Sequence, residues 1–343
     1  MGFAWGFLGR DIAVDLGTAN TLVYVRKKGI VLDEPSVVAI NLHTDKIVAV
    51  GTAAKGMIGR TPPHIVTLRP LKDGVIADLD AAERMLRHFI QLAHKNRYLA
   101  KPRVVVAVPS GTTSVEQRAV KEAAYEAGAR RVHIIEEPMA AAIGAGLNVG
   151  DATGNMVVDI GGGTTEVAIV SLGGVVVAKS VRVGGDELDE AIVNYVKKEH
   201  SLLLGERTAE QIKITLGTVR PGDDDKTLPI RGRDLVTGLP KTATISREEV
   251  RDAIEDQVQT IIDAVQSTLD QCPAELAGDL LDNGIVLTGG GALLDGLAER
   301  LGQAIGMPIH LVDQPLQSVA LGAGRCVERF EDMRDVFLPE TRR

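Results

Sequence analysis

Cysteine is nearly absent. Only Cys272 and Cys326 occur in 343 residues, far apart and in no Cys-x-x-Cys spacing, which excludes a disulfide scaffold and suits a reducing cytoplasm. The seven histidines show no ligand spacing, so no zinc site is expected. Basic residues are not in surplus. The net charge of -8 leaves no cationic footprint for nucleic acid, which is excluded as a partner. Long apolar runs are missing too: none approaches the roughly 20 residues that span a bilayer, so no transmembrane helix is expected. Aromatic residues make up only 3%, yet Phe3, Trp5 and Phe7 crowd the amino terminus. The remaining composition, 45% hydrophobic and 24% charged, is that of a soluble globular chain, and its length predicts two or three domains around a large core.

What is present is a repeat. IAVDLGTANTLVYV (Ile12 to Val25) returns as MVVDIGGGTTEVAI (Met156 to Ile169), so that one fold half has been used twice. Each copy runs along an apolar strand to an Asp, Asp15 or Asp159, turns through Gly and Thr, and resumes an extended run. An Asp at a strand end can hold a hydrated Mg²⁺, and a glycine-rich hairpin lets backbone N–H groups approach phosphate oxygens. One copy alone reads better as a tight hairpin whose Asp serves the turn. Two matched copies predict a nucleotide gripped from both sides, in a cleft between similar lobes.

Periodicity supplies an α/β plan. From Asp11 to Val50 the runs IAVDL, TLVYV, GIVLD, SVVAI and IVAV read as strands separated by Gly, Asn, Asp and Pro. Ala82, Met85, Leu86, Phe89, Ile90 and Ala93 then recur at helical spacing, and VVVAVP (Val104 to Pro109) returns to a buried strand. Ser114 with Gln117 gives a capping-box signal for a helix ending near Gly128, followed by the strand VHIIE. The second half holds three strands from Asn155 to Gly184, helices over Asp186 to His200 and Thr208 to Leu216, and a polar loop around Pro221 to Lys226. Ser246 and Glu249 cap a long helix with its stripe at Val250, Ile254, Val258, Ile261, Val265 and Leu269. GIVLTGGG is a last strand leading into a helix near Ala292. Glu137 falls between a strand and Pro138, which can serve as the first helical residue and biases Glu137 towards an extended conformation, putting a carboxylate at a strand end in the cleft. A helix-start carboxylate favoured by the macrodipole is the other reading, and Glu136 is the second candidate.

DLGTANT (Asp15 to Thr21), IEEPMAAAIGAG (Ile135 to Gly146), VVDIGGGTTEVAIVSLGG (Val157 to Gly174) and LTGGGALLDGL (Leu287 to Leu297) together resemble the actin-like ATPases. GERTAEQIK (Gly205 to Lys213) and GRDLVTGLPK (Gly232 to Lys241) narrow the resemblance to the MreB/Mbl family of bacterial actins, over about Arg10 to Glu328. The resemblance implies an actin-like α/β fold: two similar lobes, each a five-stranded mixed sheet flanked by helices in a duplicated ribonuclease H-like arrangement, plus two smaller subdomains. Residues 1–34, 75–149 and 324–343 would form subdomain IA, 35–74 IB, 150–184 with 246–323 IIA, and 185–245 IIB. ATP or ADP with Mg²⁺ is the implied cofactor set. Asp15 and Asp159 would orient the metal through water, with Thr18, Ala19 and Asn20 on one side of the phosphates and Gly161, Gly162 and Gly163 on the other. Glu137 and Thr164 would position the attacking water. Gly289, Gly290, Gly291 and Ala292 would face the adenosine, where missing side chains let a flat base lie on backbone, together with Ala209, Glu210, Gln211, Ile212 and Lys213. A Glu210/Lys213 pair at this spacing is usually a solvated surface pair, so their role rests on the resemblance.

The implied activity is slow ATP hydrolysis coupled to self-assembly into filaments. These would lie at the inner face of the cytoplasmic membrane and organise peptidoglycan synthesis with membrane-embedded wall-synthesis proteins. Two segments are candidate membrane contacts. Phe3, Trp5, Phe7 and Leu8 suit the headgroup region and lack the basic start of a signal peptide, although a terminus packed on its own domain reads the same way. Tyr98 and Leu99 lie among Lys95, Arg97, Lys101 and Arg103, which anionic lipid would attract, although Ala100 is smaller than the family's usual neighbour and a polar connector is the alternative. Two rivals belong to the same superfamily. A sugar-type kinase needs an acceptor pocket, for which Leu32 to Val75 and Gly185 to Thr244 carry no signature. An Hsp70-like chaperone ATPase needs a substrate domain, for which the chain leaves no room before Arg343.

Overall fold

A computed structural model describes residues 10–94, 101–222 and 225–339. Two five-stranded sheets share one plan. In the first, Ile12–Leu16 runs antiparallel to Asn20–Val25, which runs antiparallel to Gly29–Pro35; on its other side Ile12–Leu16 is parallel to Arg103–Val108, and that strand to Arg131–Glu136. In the second, Asn155–Ile160, Thr165–Ser171 and Gly174–Val181 form the antiparallel meander, with Ile285–Thr288 and Ile309–Leu311 as the parallel neighbours. Strands covered on both faces are continuously apolar, as Arg103–Val108 is after its first residue. The duplication places Asp15 opposite Leu22 and Ala107, and Asp159 opposite Glu166 and Thr288, in equivalent registers.

Two smaller sheets rise from the lobes. One pairs Val38–Asn41 with Lys46–Val50 and Ile65–Leu68 beside the helix Thr52–Met57. The other holds Leu202–Leu203 and the hairpin Thr227–Asp234/Pro240–Ser246, whose strands the sequence pattern did not reveal. That hairpin closes on Asp234. Its carboxylate accepts from the N–H groups of Val236 (2.9 Å) and Thr237 (2.8 Å) and pairs with Lys241 (3.0 Å); the Thr237 N–H first, then Lys241, hold it below the usual carboxylate range.

The helices follow their stripes, with two corrections. The helix Ser114–Glu126 is capped one residue early: Thr113 accepts from the Glu116 N–H and Glu116 returns to the Thr113 N–H, while Gln117 donates to the Thr112 carbonyl. The two overlapping boxes compete, and an anionic Glu at the third position satisfies the helix start better than a neutral Gln. After Thr288 the chain does not enter a long helix at Ala292. It makes a single 3₁₀ turn, Gly290–Leu293, and begins the helix Leu297–Ile305 only after Gly296, because Gly289 and Gly296 both adopt positive φ. The Ser246–Glu249 box opens Arg247–Leu269 as expected.

The lobes meet over a third apolar cluster, in which Ala13 and Val105 of one sheet and Val157 and Ala168 of the other enclose Met139, Ile143 and Ala323. Here the helices Glu137–Gly144 and Ser318–Glu328 touch backbone to backbone. A Cβ on Gly144 would overlap the Ser318 carbonyl, and one on Gly322 the Ala140 carbonyl. The expected subdomain division passes through Ser318–Glu328. Gly322→Ala is expected to cost about 3 kcal/mol or more by overpacking, lowering Tm by about 2–4 °C per kcal/mol. Gly278→Ala, in a helix with open space around it, should raise Tm slightly. Thermal unfolding of both variants checks the contact; equal Tm values would refute it.

Candidate nucleotide site

Both glycine hairpins fold tightly. Gly161 N–H donates to the Thr164 carbonyl at 2.8 Å, and a Cβ on Gly17 would lie 2.7 Å from the Asn20 carbonyl. The first turn is braced by Ser36, whose N–H donates to the Ala19 carbonyl (2.9 Å) and whose hydroxyl donates to that of Gly17 (2.6 Å). Asn20 donates its side-chain amide to Asp33 at 2.7 Å. The second turn is braced by Gly185 and Asp186, whose N–H groups donate to the carbonyls of Gly161 (3.0 Å) and Gly162 (2.7 Å).

The turns face one another across the lobe junction. A Cβ on Gly162 would stand 2.6 Å from that of Ala19, and one on Gly163 3.0 Å from the Thr18 hydroxyl, so only glycine permits this approach. A third hairpin, Leu71–Lys72/Val75–Ile76, enters the same junction: Gly74 N–H donates to the Thr18 hydroxyl at 3.2 Å, and a Cβ on Gly74 would lie 3.0 Å from the Thr164 methyl. Its Asp73-Gly74 turn was missed although Asp-Gly between apolar residues is a strong hairpin signal.

The carboxylates at this junction repel one another. Burial, then Asp33, pushes Asp15 up to about 7. Burial, then Asp15 and Glu166, pushes Asp159 up to about 8. Glu137 is raised well above its ordinary value by burial, then by Glu166, Asp15 and Asp159. Such a cluster suits a cation. Among the described residues no group of three or more His, Cys, Asp or Glu side chains could hold a metal directly. The buried Asp15, Asp159 and Glu137 would fit a hydrated Mg²⁺ held through its water, whose charge would offset their repulsion.

Glu137 differs from expectation in one respect. Glu136 is the extended residue (φ -72°, ψ 137°) and ends the strand opposite Val108, whereas Glu137 is itself the first residue of Glu137–Gly144 with Pro138 behind it. The restriction before proline is a preference, and a proline in the first helical turn sacrifices no hydrogen bond, so the packed helix start prevails. The Glu137 carboxyl therefore sits at a helix amino terminus, in the first lobe. Thr164 lies buried on the second-lobe hairpin.

The adenosine candidates separate. Gly289 brings its backbone against the end of Asn155–Ile160, where a Cβ would come within 2.5 Å of Asp159 Oδ1, and Gly291 and the buried Ala292 continue that packing; Gly290 faces Leu316. Ala209 and Ile212 are fully buried in the second-lobe core, so any ligand contact of theirs is through backbone. Gln211 is exposed and donates to the Thr215 hydroxyl one turn on. Glu210 and Lys213 do not pair with each other: Glu210 reaches Lys55 of the other small subdomain at 2.7 Å, and Lys213 binds Asp189 (2.9 Å) and the Gly185 carbonyl (2.7 Å) behind the second hairpin. Arg69–Glu206 (3.6 Å) adds to the bridge across the cleft mouth. Phe3, Trp5, Phe7, Leu8, Tyr98 and Leu99 lie outside the described residues, among which no helix is long and apolar enough to cross a membrane.

Duplicated meander sheets carrying mirrored glycine hairpins that close on one acidic junction define the actin-like ATPase fold. The profile described as MreB/Mbl protein matches residues 9–335, and the chain therefore belongs to the MreB/Mbl family. It is 52% identical over 331 residues to the cell shape-determining protein MreB of Escherichia coli strain K12, covering 95% of each chain. It is 48% identical over 324 residues to the cell shape-determining protein Mbl of Bacillus subtilis strain 168, covering 94% of this chain and 97% of that one. The crystal structure of MreB 5 of Spiroplasma citri bound to AMPPNP superposes with a TM-score of 0.89 at 39% identity, covering 94% of this chain and 97% of that one.

Proposed function

We propose that this chain is a cytoskeletal ATPase that binds ATP with Mg²⁺ between its lobes and assembles into filaments. Its slow hydrolysis is coupled to that assembly. The observation that carries the reading is the approach of Gly162 and Gly163 to Ala19 and Thr18 over the Asp15/Asp159 pair. An ATP analogue occupies the Spiroplasma citri relative, and the Escherichia coli and Bacillus subtilis relatives are named for determining cell shape.

In this reading the backbone N–H groups of Thr18 to Asn20 and Gly161 to Gly163 bind the phosphates, and Asp15 and Asp159 hold the metal's water shell. Bound Mg²⁺ supplies charge neutralisation at the phosphates and relieves the carboxylate repulsion. Glu137 and Thr164, one from each lobe, orient the attacking water, with Glu137 accepting its proton. Residues 209–213 and 289–292 flank the nucleoside. Closure of the lobes on nucleotide biases the chain towards its polymer conformation. The filaments lie on the inner face of the cytoplasmic membrane through Phe3, Trp5, Phe7 and Leu8 or through Tyr98 and Leu99, and there organise wall synthesis.

Purified full-length protein with ATP and Mg²⁺ is expected to sediment and, on vesicles containing anionic lipid, to form filaments lying on the bilayer in electron micrographs. Filaments that ignore vesicles would remove the membrane part. Nucleotide binding without any polymer would remove the cytoskeletal part.

A further inference from the structure

Glu166 is the one acid in Thr165–Ser171, a strand buried at every position, and is itself only 1% exposed. Its carboxylate is fully engaged. Oε2 accepts from the Ser110 N–H at 3.1 Å and from the Ser110 hydroxyl at 2.6 Å, and Oε1 accepts from the Ser180 hydroxyl. Ser110 follows the strand Arg103–Val108 of the first lobe, whereas Ser180 belongs to Gly174–Val181 of the second. One buried carboxylate thus ties the lobes together behind the nucleotide junction.

The tie sits close to both residues assigned to the chemistry. Glu166 is two positions beyond Thr164 on the second-lobe hairpin. Ser110 is two positions beyond Val108, whose register partner is Glu136, the neighbour of Glu137. The first lobe also meets the second here through Gly111, where a Cβ would contact that of Ser180 at 3.8 Å. The Ser110–Glu166 contact thus lies two residues from Thr164 in one lobe and just beyond the strand paired with the one that ends before Glu137 in the other.

We propose that Glu166 is a positioning residue, an inter-lobe clasp that sets the separation of Glu137 and Thr164 without touching nucleotide or water. The proposal rests on the ATPase reading above. It predicts a loss in kcat rather than in nucleotide affinity, since misplacing a reacting group by about 1 Å costs on the order of 10²-fold in rate. It also predicts that the amide can substitute for the acid. In Glu166→Gln the amide oxygen can accept both Ser110 bonds while the NH₂ donates to the Ser180 hydroxyl.

The test uses full-length protein carrying Glu166→Ala, Glu166→Gln or Ser110→Ala. Single-turnover phosphate release and titration with a fluorescent ATP analogue are read beside the inter-lobe distance distribution between spin labels at exposed Val115 and Leu281, in a Cys272→Ser background. Expected is an approximately 10²-fold lower kcat for Glu166→Ala at affinity within about threefold, a broadened distance distribution in Glu166→Ala and Ser110→Ala, and restoration of both readouts in Glu166→Gln. Should Glu166→Ala fail to fold, Ser110→Ala, which keeps the acid and its bond from the Ser110 N–H but removes the shorter hydroxyl bond, gives a smaller broadening of the same distance distribution. An unchanged distribution in Ser110→Ala, or a Glu166→Gln protein as defective as Glu166→Ala, overturns the clasp. A wild-type protein without turnover would instead overturn the ATPase reading, and the distance distributions would still decide whether Glu166 joins the lobes.

Discussion

Glu137→Gln is expected to slow phosphate release by about 10²–10⁴-fold, the usual worth of a positioned acid or base, while nucleotide affinity stays within a few-fold. The substitution preserves shape and one acceptor and removes only the capacity to take a proton. Its setting makes the effect large. The carboxyl stands at the start of Glu137–Gly144, facing a junction of acids that raises its pKa well above the ordinary value through burial first, then through Glu166, Asp15 and Asp159. A base with a raised pKa is a stronger proton acceptor once ionised, but less of it is ionised at neutral pH. Turnover should therefore rise with pH through that elevated pKa, and the Gln variant should lose the dependence. Single-turnover phosphate release from pH 6 to 9, beside a binding titration, checks both halves. Unchanged turnover would move the role to Glu136, the strand-end acid next to it.

The second large effect concerns stability. Burial, then Asp15 and Glu166, pushes the Asp159 carboxyl up to about 8 in the folded chain, against about 3.8 for the free side chain. Below the unfolded value both states are protonated and the group contributes nothing. Between the two values the unfolded chain has released a proton that the folded chain retains, so stability falls as pH rises; above the folded value the loss is complete. Asp15, raised to about 7, acts in the same direction. Asp159→Asn removes this penalty. In the absence of nucleotide the variant should be the more stable protein at pH 8, by several kcal/mol, with little difference near pH 4. It should also lose most of the thermal stabilisation that ATP with Mg²⁺ confers on the parent, because ligand binding stabilises only through affinity for the folded state. Tm at pH 4 and pH 8, with ATP and Mg²⁺ added at pH 8, tests the pair of effects. An Asn variant less stable at pH 8 with a full nucleotide shift would show that the acid is structural and bears no metal.

The comparison of Asp15 with Glu166 explains what could be read early. Asp15 and Asp159 announce themselves by local pattern: an acid after a strand, glycine after the acid, and the arrangement repeated. Glu166 lies in the same motif and has no local signature beyond being an acid in an apolar run. Its partners, Ser110 and Ser180, come from different lobes. Likewise the Glu210/Lys213 spacing describes one helix face correctly but says nothing of Lys55 or Asp189, which take the two charges in opposite directions. The hairpin closed by Asp234 escaped because its strands carry few apolar residues and expose much of their length.

From its residues alone, this chain specifies a twice-used α/β half, two glycine-rich turns each led by an aspartate, and a likeness to a nucleotide-binding lineage, because those properties are written in short-range periodicity and in glycine's freedom from side-chain clash. Only the tertiary structure decides which acids share one junction, that Glu137 starts a helix rather than ends a strand, and that Gly144 and Gly322 let two helices touch between the lobes. Those are contacts between residues distant in the chain, and their energies depend on burial and on partners that no local pattern can encode.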